Sequence, residues 1–224
     1  GLIEIKGADE FPELTPGPNA LATVYLAPTA GLNAKGIILT VPDSFGRTRG
    51  RILSGGVVSI EGNIVAEKGA MIDVSGASGV LDFTPRELGL AATPSIASNS
   101  GLTKSPQSLA TMSKVVSSNG GNILLKGSSL LASEATLLGK AGGPEALGGV
   151  LSISSGRYVA PNESSTTADL NLEASQSGSI LASGKYGIGL PALDSSGAIM
   201  KGMGYFRADS FASVGFSTLE LGGN

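Results

Sequence analysis

The carboxylates are the first place to look for chemistry in this chain of 224 residues, and they are scattered. Asp9 and Glu10 lie close to Glu13, while Glu61, Glu67, Asp73 and Glu134 stand alone along the sequence. Hydrolysis of a glycosidic bond needs two opposed carboxyl groups, and elimination needs a base beside a cation site. No Asp pair has such a spacing, and the chain contains no His, Cys or Trp, which excludes a conventional Ser-His-Asp triad and any His or Cys metal set. Asp73, between Ile72 and Val74, is expected to point outward or to cap a turn. The one basic cluster, Arg47, Arg49 and Arg51, reads as a solvated loop before the first repeat, with an anion or polysaccharide contact as its functional alternative. Gly187-Ile188-Gly189 lacks the Lys-Ser/Thr of a phosphate loop and reads as turn glycine. The Gly-Gly pairs are followed by Val, Asn or Pro, not by the spaced Asp of a calcium-binding roll. Asn162-Glu163-Ser164 is a sequon too short to carry weight. These residues therefore supply no catalytic, cofactor-binding or metal-binding site, and the chain reads as non-enzymatic.

Composition points to architecture instead. Gly accounts for 34 residues, aromatics for 4% and charged residues for 15%, so Ile, Leu, Val and Ala must fill a narrow interior between frequent tight turns. Two stretches repeat one another, GGVVSIEGNIVAEKGAMIDVSG from Gly55 to Gly76 and GGNILLKGSSLLASEATLLGKAG from Gly120 to Gly142. Gly55-Gly56 match Gly120-Gly121, Gly62 matches Gly127, and Val58 and Ile60 match Ile123 and Leu125. After one inserted residue, Ile64, Ala66, Met71 and Ile72 align with Leu130, Ala132, Leu137 and Leu138, and Gly76 with Gly142. Self-similarity of this kind marks a repeat in which each unit buries its apolar face only by stacking on the next.

Short alternating segments closed by Gly, Ser, Asn or Asp recur along the chain: LIEIK, VYLA, GIILTV, VVSI, NIVA, MIDV, NILL, VLSI, LNLE, SILA and the strand from Phe216 to Leu221. Alternation predicts strands, and no Asn-Gly or Asp-Gly hairpin signal joins them. The expected fold is therefore all-β, a parallel β-solenoid with coils of about 20 residues. Residues 1–50 read as an irregular entry segment carrying the first strands, and 51–224 as the solenoid proper. Two excursions interrupt it, at about 77–119 and 157–168. The first holds two helix-start signals, the capping box Thr84-Pro85-Arg86-Glu87 and the Ser105-Pro106 opening of SPQSLATMSKVV, so short external helices are expected there. The second is polar and reads as an exposed loop.

The coil ending Gly69-Ala-Met-Ile-Asp-Val-Ser-Gly76, the Gly-Gly coil start at Gly120, the turn GKAGGPEALGGVLSI (Gly139 to Ile153) and GFSTLEL (Gly215 to Leu221) together resemble large exoproteins of the filamentous haemagglutinin kind. The resemblance covers Gly55 to Asn224. It implies a right-handed parallel β-helix, two-partner secretion through an outer-membrane transporter, and a role at the bacterial surface in adhesion to a host or neighbouring cell, through glycan or protein. A self-associating surface fibre or sheath subunit is the alternative, and a polysaccharide-active enzyme a more distant one. The amino-terminal secretion domain of that family is not recognisable, and no signal peptide opens the sequence. The ending LELGGN reads as an interrupted coil, so neighbouring coils of the same or an identical chain are expected partners. Absence of Cys fits export without disulfides. A net charge of −3 with no basic stripe speaks against nucleic acid, and the longest uncharged run, Leu14 to Ala34, is broken by prolines and offers no membrane span.

Overall fold

The computed structural model describes residues 1–7, 21–90, 111–155, 172–175, 179–200, 204–207, 211 and 214–223. The Asp9, Glu10 and Glu13 cluster, the Ser105 helix start, the 157–168 loop and the Asn162 sequon fall outside them. The described chain is all-β, and its main sheet is parallel. Strands β1 (Leu2–Lys6), β6 (Val57–Ala66), β10 (Asn122–Ser133), β12 (Val150–Ser155) and β15 (Thr218–Gly223) lie side by side in that order. Their register is strict: Leu2, Val57, Asn122, Val150 and Thr218 form one row across the sheet.

Period-2 alternation makes two of these rows inward-facing columns. One runs Ile3, Val58, Ile123, Leu151, Leu219; the other runs Ile5, Ile60, Leu125, Ile153 and ends at Leu221, which is exposed on the edge strand. Val58, Ile60, Ile123, Leu151 and Ile153 are fully buried. A second parallel sheet, β3 (Gly31–Asn33), β7 (Met71–Asp73) and β11 (Thr136–Leu138), adds Leu32, Ile72 and Leu137 to the same core. Of the matched positions, Val58, Ile60 and Ile72 of the first repeat and Ile123, Leu125 and Leu137 of the second share this core. The shortest return, Asn122 to Val150, is longer than the coil of about 20 residues read from the sequence.

The register corrects the repeat alignment past Gly127. Ile64 pairs with Leu131, not Leu130, and Ala66 with Ser133, because Ser128, Ser129 and Leu130 stand opposite the single residue Asn63. Downstream, Met71 pairs with Thr136 and Ile72 with Leu137, so the extra residues are absorbed before β11. Asn63 fills the step with hydrogen bonds. Its side-chain amide donates to the Leu21 carbonyl, its carbonyl accepts from Ser129 N–H, and its own N–H reaches the Thr23 hydroxyl. The bulge sends Leu130 to the opposite face of the sheet, where it joins Val65, Ala132 and Ala22 in a second apolar cluster under residues 179–200.

That overlying segment was expected to carry a ladder strand, SILA (Ser179–Ala182). Instead Leu181 makes one antiparallel bridge to Asp194, and Ile180, Leu181, Ala192 and Met200 are spent covering the second cluster. Winding also departs from a simple succession, since β14 (Gly204–Arg207) lies between β10 and the earlier strand β13 (Leu172–Ser175).

Two antiparallel ribbons complete the fold. Strands β4 (Ile37–Pro42) and β5 (Thr48–Leu53) form a hairpin, and β8 (Ser78–Phe83) pairs with β9 (Met112–Ser117). The second pair corrects the expected helix through Val116. Met112 to Ser117 takes the strand state because Phe83 to Ser78 offers it a complete ladder, and tertiary pairing overrides a local start signal. The Thr84 signal is realised as one turn. Glu87 accepts from Thr84 N–H at 2.7 Å, Glu87 N–H reaches the Thr84 hydroxyl at 3.3 Å, and Leu88 N–H closes on the Thr84 carbonyl at 3.2 Å. Gly89, at φ 70°, ends it at once, with Leu90 N–H returning to the Pro85 carbonyl. Among the described residues no helix is long and apolar enough to cross a membrane.

The column assignment predicts a sharp contrast between neighbours on β10. Ile123→Asp places an unpaired carboxylate where exposure is 0%, a cost of several kcal/mol, about the whole margin of a domain, and soluble folded protein should be lost. Leu124→Asp, on the opposite face and 37% exposed, should melt close to the parent. Equal melting temperatures for the two variants would refute the assignment.

Candidate interaction surface

The isolated acids are all engaged structurally. Glu61 pairs with Lys126 at 2.5 Å across the sheet, Glu67 accepts from the Tyr25 hydroxyl, and Glu134 accepts from Ser179 Oγ at 2.7 Å and from the N–H groups of Ile180 and Leu181. Asp73 is 3% exposed. It does not point outward; it caps the Ser75 turn, accepting Ser75 N–H at 2.9 Å, and pairs with Lys35 at 3.0 Å. Burial pushes its carboxyl up, but the Ser75 hydrogen bonds and Lys35 outweigh this and hold it below the usual carboxylate range. Gly189, at φ 79°, is a turn glycine, with Leu190 N–H returning to the Gly187 carbonyl. Among the described residues no group of three His, Cys, Asp or Glu side chains is placed to hold a metal ion.

The arginines are brought to the ribbons, and the solvated-loop reading is corrected there. Asp43, Ser44, Phe45 and Gly46 form the β4–β5 turn. Asp43 Oδ1 accepts from Phe45 N–H at 2.9 Å and Arg47 N–H at 3.0 Å, and Gly46 takes a left-handed φ of 75°. This longer turn uses Asp at its start and Gly at its end, a hairpin signal that a search for adjacent Asn-Gly or Asp-Gly does not find. Arg49 and Arg51 lie in β5. Arg47 pairs with Asp43 at 2.5 Å and sits over the Phe45 ring, 4.9 Å from its centroid. Arg49 grips both Glu87 oxygens, at 2.7 and 2.9 Å, and the Asp82 carbonyl at 3.0 Å. Arg51 is exposed.

Asp82 and Glu87 tie the two ribbons together. The Asp82 carboxylate accepts from the Ser113 hydroxyl at 2.6 Å on its own ribbon and from Thr48 N–H at 2.7 Å on the other. These bonds hold it below its ordinary range. Thr84 N–H and the Arg49 guanidinium pull Glu87 down to about 2. Both groups are thus anions at any physiological pH, acceptors and not proton donors. A shallow groove of about 260 Å³ opens beside them, lined by Phe83, Leu88, Val116, Glu87, Lys114 and Glu145.

The ribbons also carry much of the exposed apolar surface. Ile37, Leu39 and Val41 of β4 are 50%, 40% and 65% exposed, and Phe45, Val80, Met112 and Val115 are exposed as well. An apolar concentration of this kind marks a contact surface in a folded protein. Apart from the arginines, nothing in the sequence reading pointed here. The available signal was the uncharged β-branched run of GIILTV itself. Comparison with protein-family models, with curated proteins and with solved structures gives no match in any of the three.

The latch predicts an acid response. The folded pKa of Glu87 lies below its unfolded value near 4.5, so its contribution is present above that value and fades as the pH falls toward about 2. Carbon-detected titration should place the Glu87 carboxyl well below 4.5, and Arg49→Ala should move it back toward that value. A Glu87 titration unaffected by that substitution would mean the ion pair does not form.

Proposed function

We propose that this chain is a non-enzymatic, rod-forming segment of an extracellular exoprotein similar to filamentous haemagglutinin. In this reading the parallel ladders close into a right-handed β-helix, secretion runs through an outer-membrane transporter, and the outer ribbons and loops make adhesive contacts with cell-surface glycan or protein. The supporting observation is the pair of aliphatic columns running through five strands in one register. Such a stack resists bending because every strand is hydrogen-bonded to the next and side-chain rows must part together. Engagement of Glu61, Glu67, Asp73 and Glu134 in structural hydrogen bonds and ion pairs supports a mechanical role over hydrolysis. Small-angle scattering should report an elongated particle, and incubation with acidic polysaccharides should release no reducing ends. Sugar release that tracks the purified chain would defeat this reading.

The alternative, a subunit of a self-associating fibre, is favoured by the edges of the main ladder. Among the described residues β1 and β15 each have a strand on one side only, and an unpaired edge is a template for another chain. In-register addition of a second copy sets Glu220 beside Glu4, a like-charge contact that salt screens. Scattering mass should therefore grow with protein concentration, and more steeply at high salt. A salt-independent mass would discard end-to-end addition in this register.

A further inference from the structure

We propose that β4 is a self-complementary edge through which two copies of this chain form a closed, two-fold dimer. Among the described residues the outer side of β4 has no strand beside it: β5 is its one ladder partner there, and all six of its residues are exposed. Three observations show which of its amides point outward. Asp43 N–H bonds the Arg47 carbonyl, which makes Val41, Leu39 and Ile37 the residues bonded to β5, since bonded and non-bonded pairs alternate in an antiparallel ladder. Thr48, opposite Pro42, sends its N–H away from β4 to Asp82. Pro42, which has no N–H, occupies an outward position, the place where an edge strand tolerates proline.

The free donors are therefore Ile38 and Thr40, flanked by two residues that cannot donate. Pro42 has no N–H, and Gly36 N–H is already given to the Ser75 carbonyl at 2.7 Å. One antiparallel register pairs these donors with each other: Ile38 against Thr40 of the second copy, Thr40 against Ile38, and Leu39 beside Leu39 on the axis. Shifting by one bonded pair in either direction leaves the donors bonded to the Gly36 or Pro42 carbonyl but sets Val41 beside Lys35, or Ile37 beside Asp43, of the second copy and breaks the apolar row. The same register places Ile37 and Leu39 beside Val41 and Leu39 of the second copy, covering the row that is 40–65% exposed. A two-fold contact must be self-complementary in this way.

Charge does not oppose the pairing. β4 carries none, and the nearest arginine, Arg51, sits one strand back opposite Leu39. Across four strands spaced about 4.8 Å apart, the two copies of Arg51 are about 14 Å from each other, beyond a Debye length of about 8 Å. A six-residue edge buries less than the about 800 Å² per partner of a stable interface, so the dimer forms at high concentration or when copies are held together.

Sedimentation velocity over a concentration series of the full chain tests this. The parent should reach a dimer and stop there, which separates this contact from the open series of end-to-end addition. Leu39→Lys and Leu39→Glu should each weaken dimerisation at least about tenfold by setting like charges on the axis, and an equimolar mixture of the two should restore it. Thr40→Pro removes an outward donor without touching the β5 ladder and should weaken it as well. A parent that stays monomeric throughout, or Leu39 variants that dimerise like the parent, would overturn the proposal, as would a mixture no tighter than either variant alone.

Discussion

Close backbone contact between stacked glycines is the constraint on which the rest of this structure depends. The residues preceding the first row are Gly1, Gly56, Gly121 and Gly149, and each hands its carbonyl to an N–H of the next strand: Gly1 to Val57, Gly56 to Asn122, Gly121 to Val150. A Cβ on Gly121 would stand 1.9 Å from the Gly56 carbonyl oxygen, and one on Gly149 would stand 2.1 Å from that of Gly121. Gly55 is equally confined, with the Val74 carbonyl oxygen 1.9 Å from its Cβ position. No side chain fits. Because the strands start level, their inward residues fall into columns, and the aliphatic core follows from the corner instead of determining it. The fifth strand begins after Ser217, whose hydroxyl bonds the Gly148 carbonyl at 2.8 Å.

A fixed starting corner also explains why long insertions do no harm. The chain leaves the ladder after Gly36 and again after Gly76, and both times it re-enters at a Gly-Gly pair, with Gly55 N–H bonded to the Asn119 carbonyl and Gly120 N–H to that of Leu147. The departure and return points are cross-braced. Ser118 Oγ donates to the Leu53 carbonyl at 3.1 Å and accepts from Ala77 N–H at 2.9 Å, so the bases of both ribbons share one hydroxyl. Closing a loop between points already held costs little more for a long loop than for a short one.

These same features mark what could be read from the sequence. The all-β character, the inward rows at Val58, Ile60, Ile123 and Leu125, and the turn role of Asp73 are local consequences of alternation, glycine and Asx chemistry. The step at Asn63 was not legible, because Gly-Ser-Ser-Leu-Leu permits either leucine to face the core, and Asn63 settles the choice only by bonding Leu21 and Ser129 from distant parts of the chain. Ser179 to Ala182 alternates like a ladder strand yet covers the outer cluster, a decision made by Val65 and Ala132, which it seals on the back of the sheet. The ribbon surface was half legible. Its arginines stood out, but the fixation of Arg49 depends on Asp82 and Glu87, more than thirty residues away.

Ladder and ribbons divide the work of the molecule by how their polar groups are satisfied. In the interior of the main ladder each strand is bonded on both sides and its inward side chains are sealed in columns, so a substitution of one of those is felt as stability. A two-stranded ribbon is marginal by itself, and these two persist because they are pinned at the base by Ser118 and along their length by Asp82, Arg49 and Glu87. Those pins use polar groups at the margins of the ribbons and leave Ile37, Leu39 and Val41 in water, which hydrophobic burial alone would not do. The ionic latch therefore does more than hold two hairpins together: by fixing β5 through Thr48 and Arg49 it leaves β4 as the outer strand, and so determines which apolar edge of the ribbons is left in water.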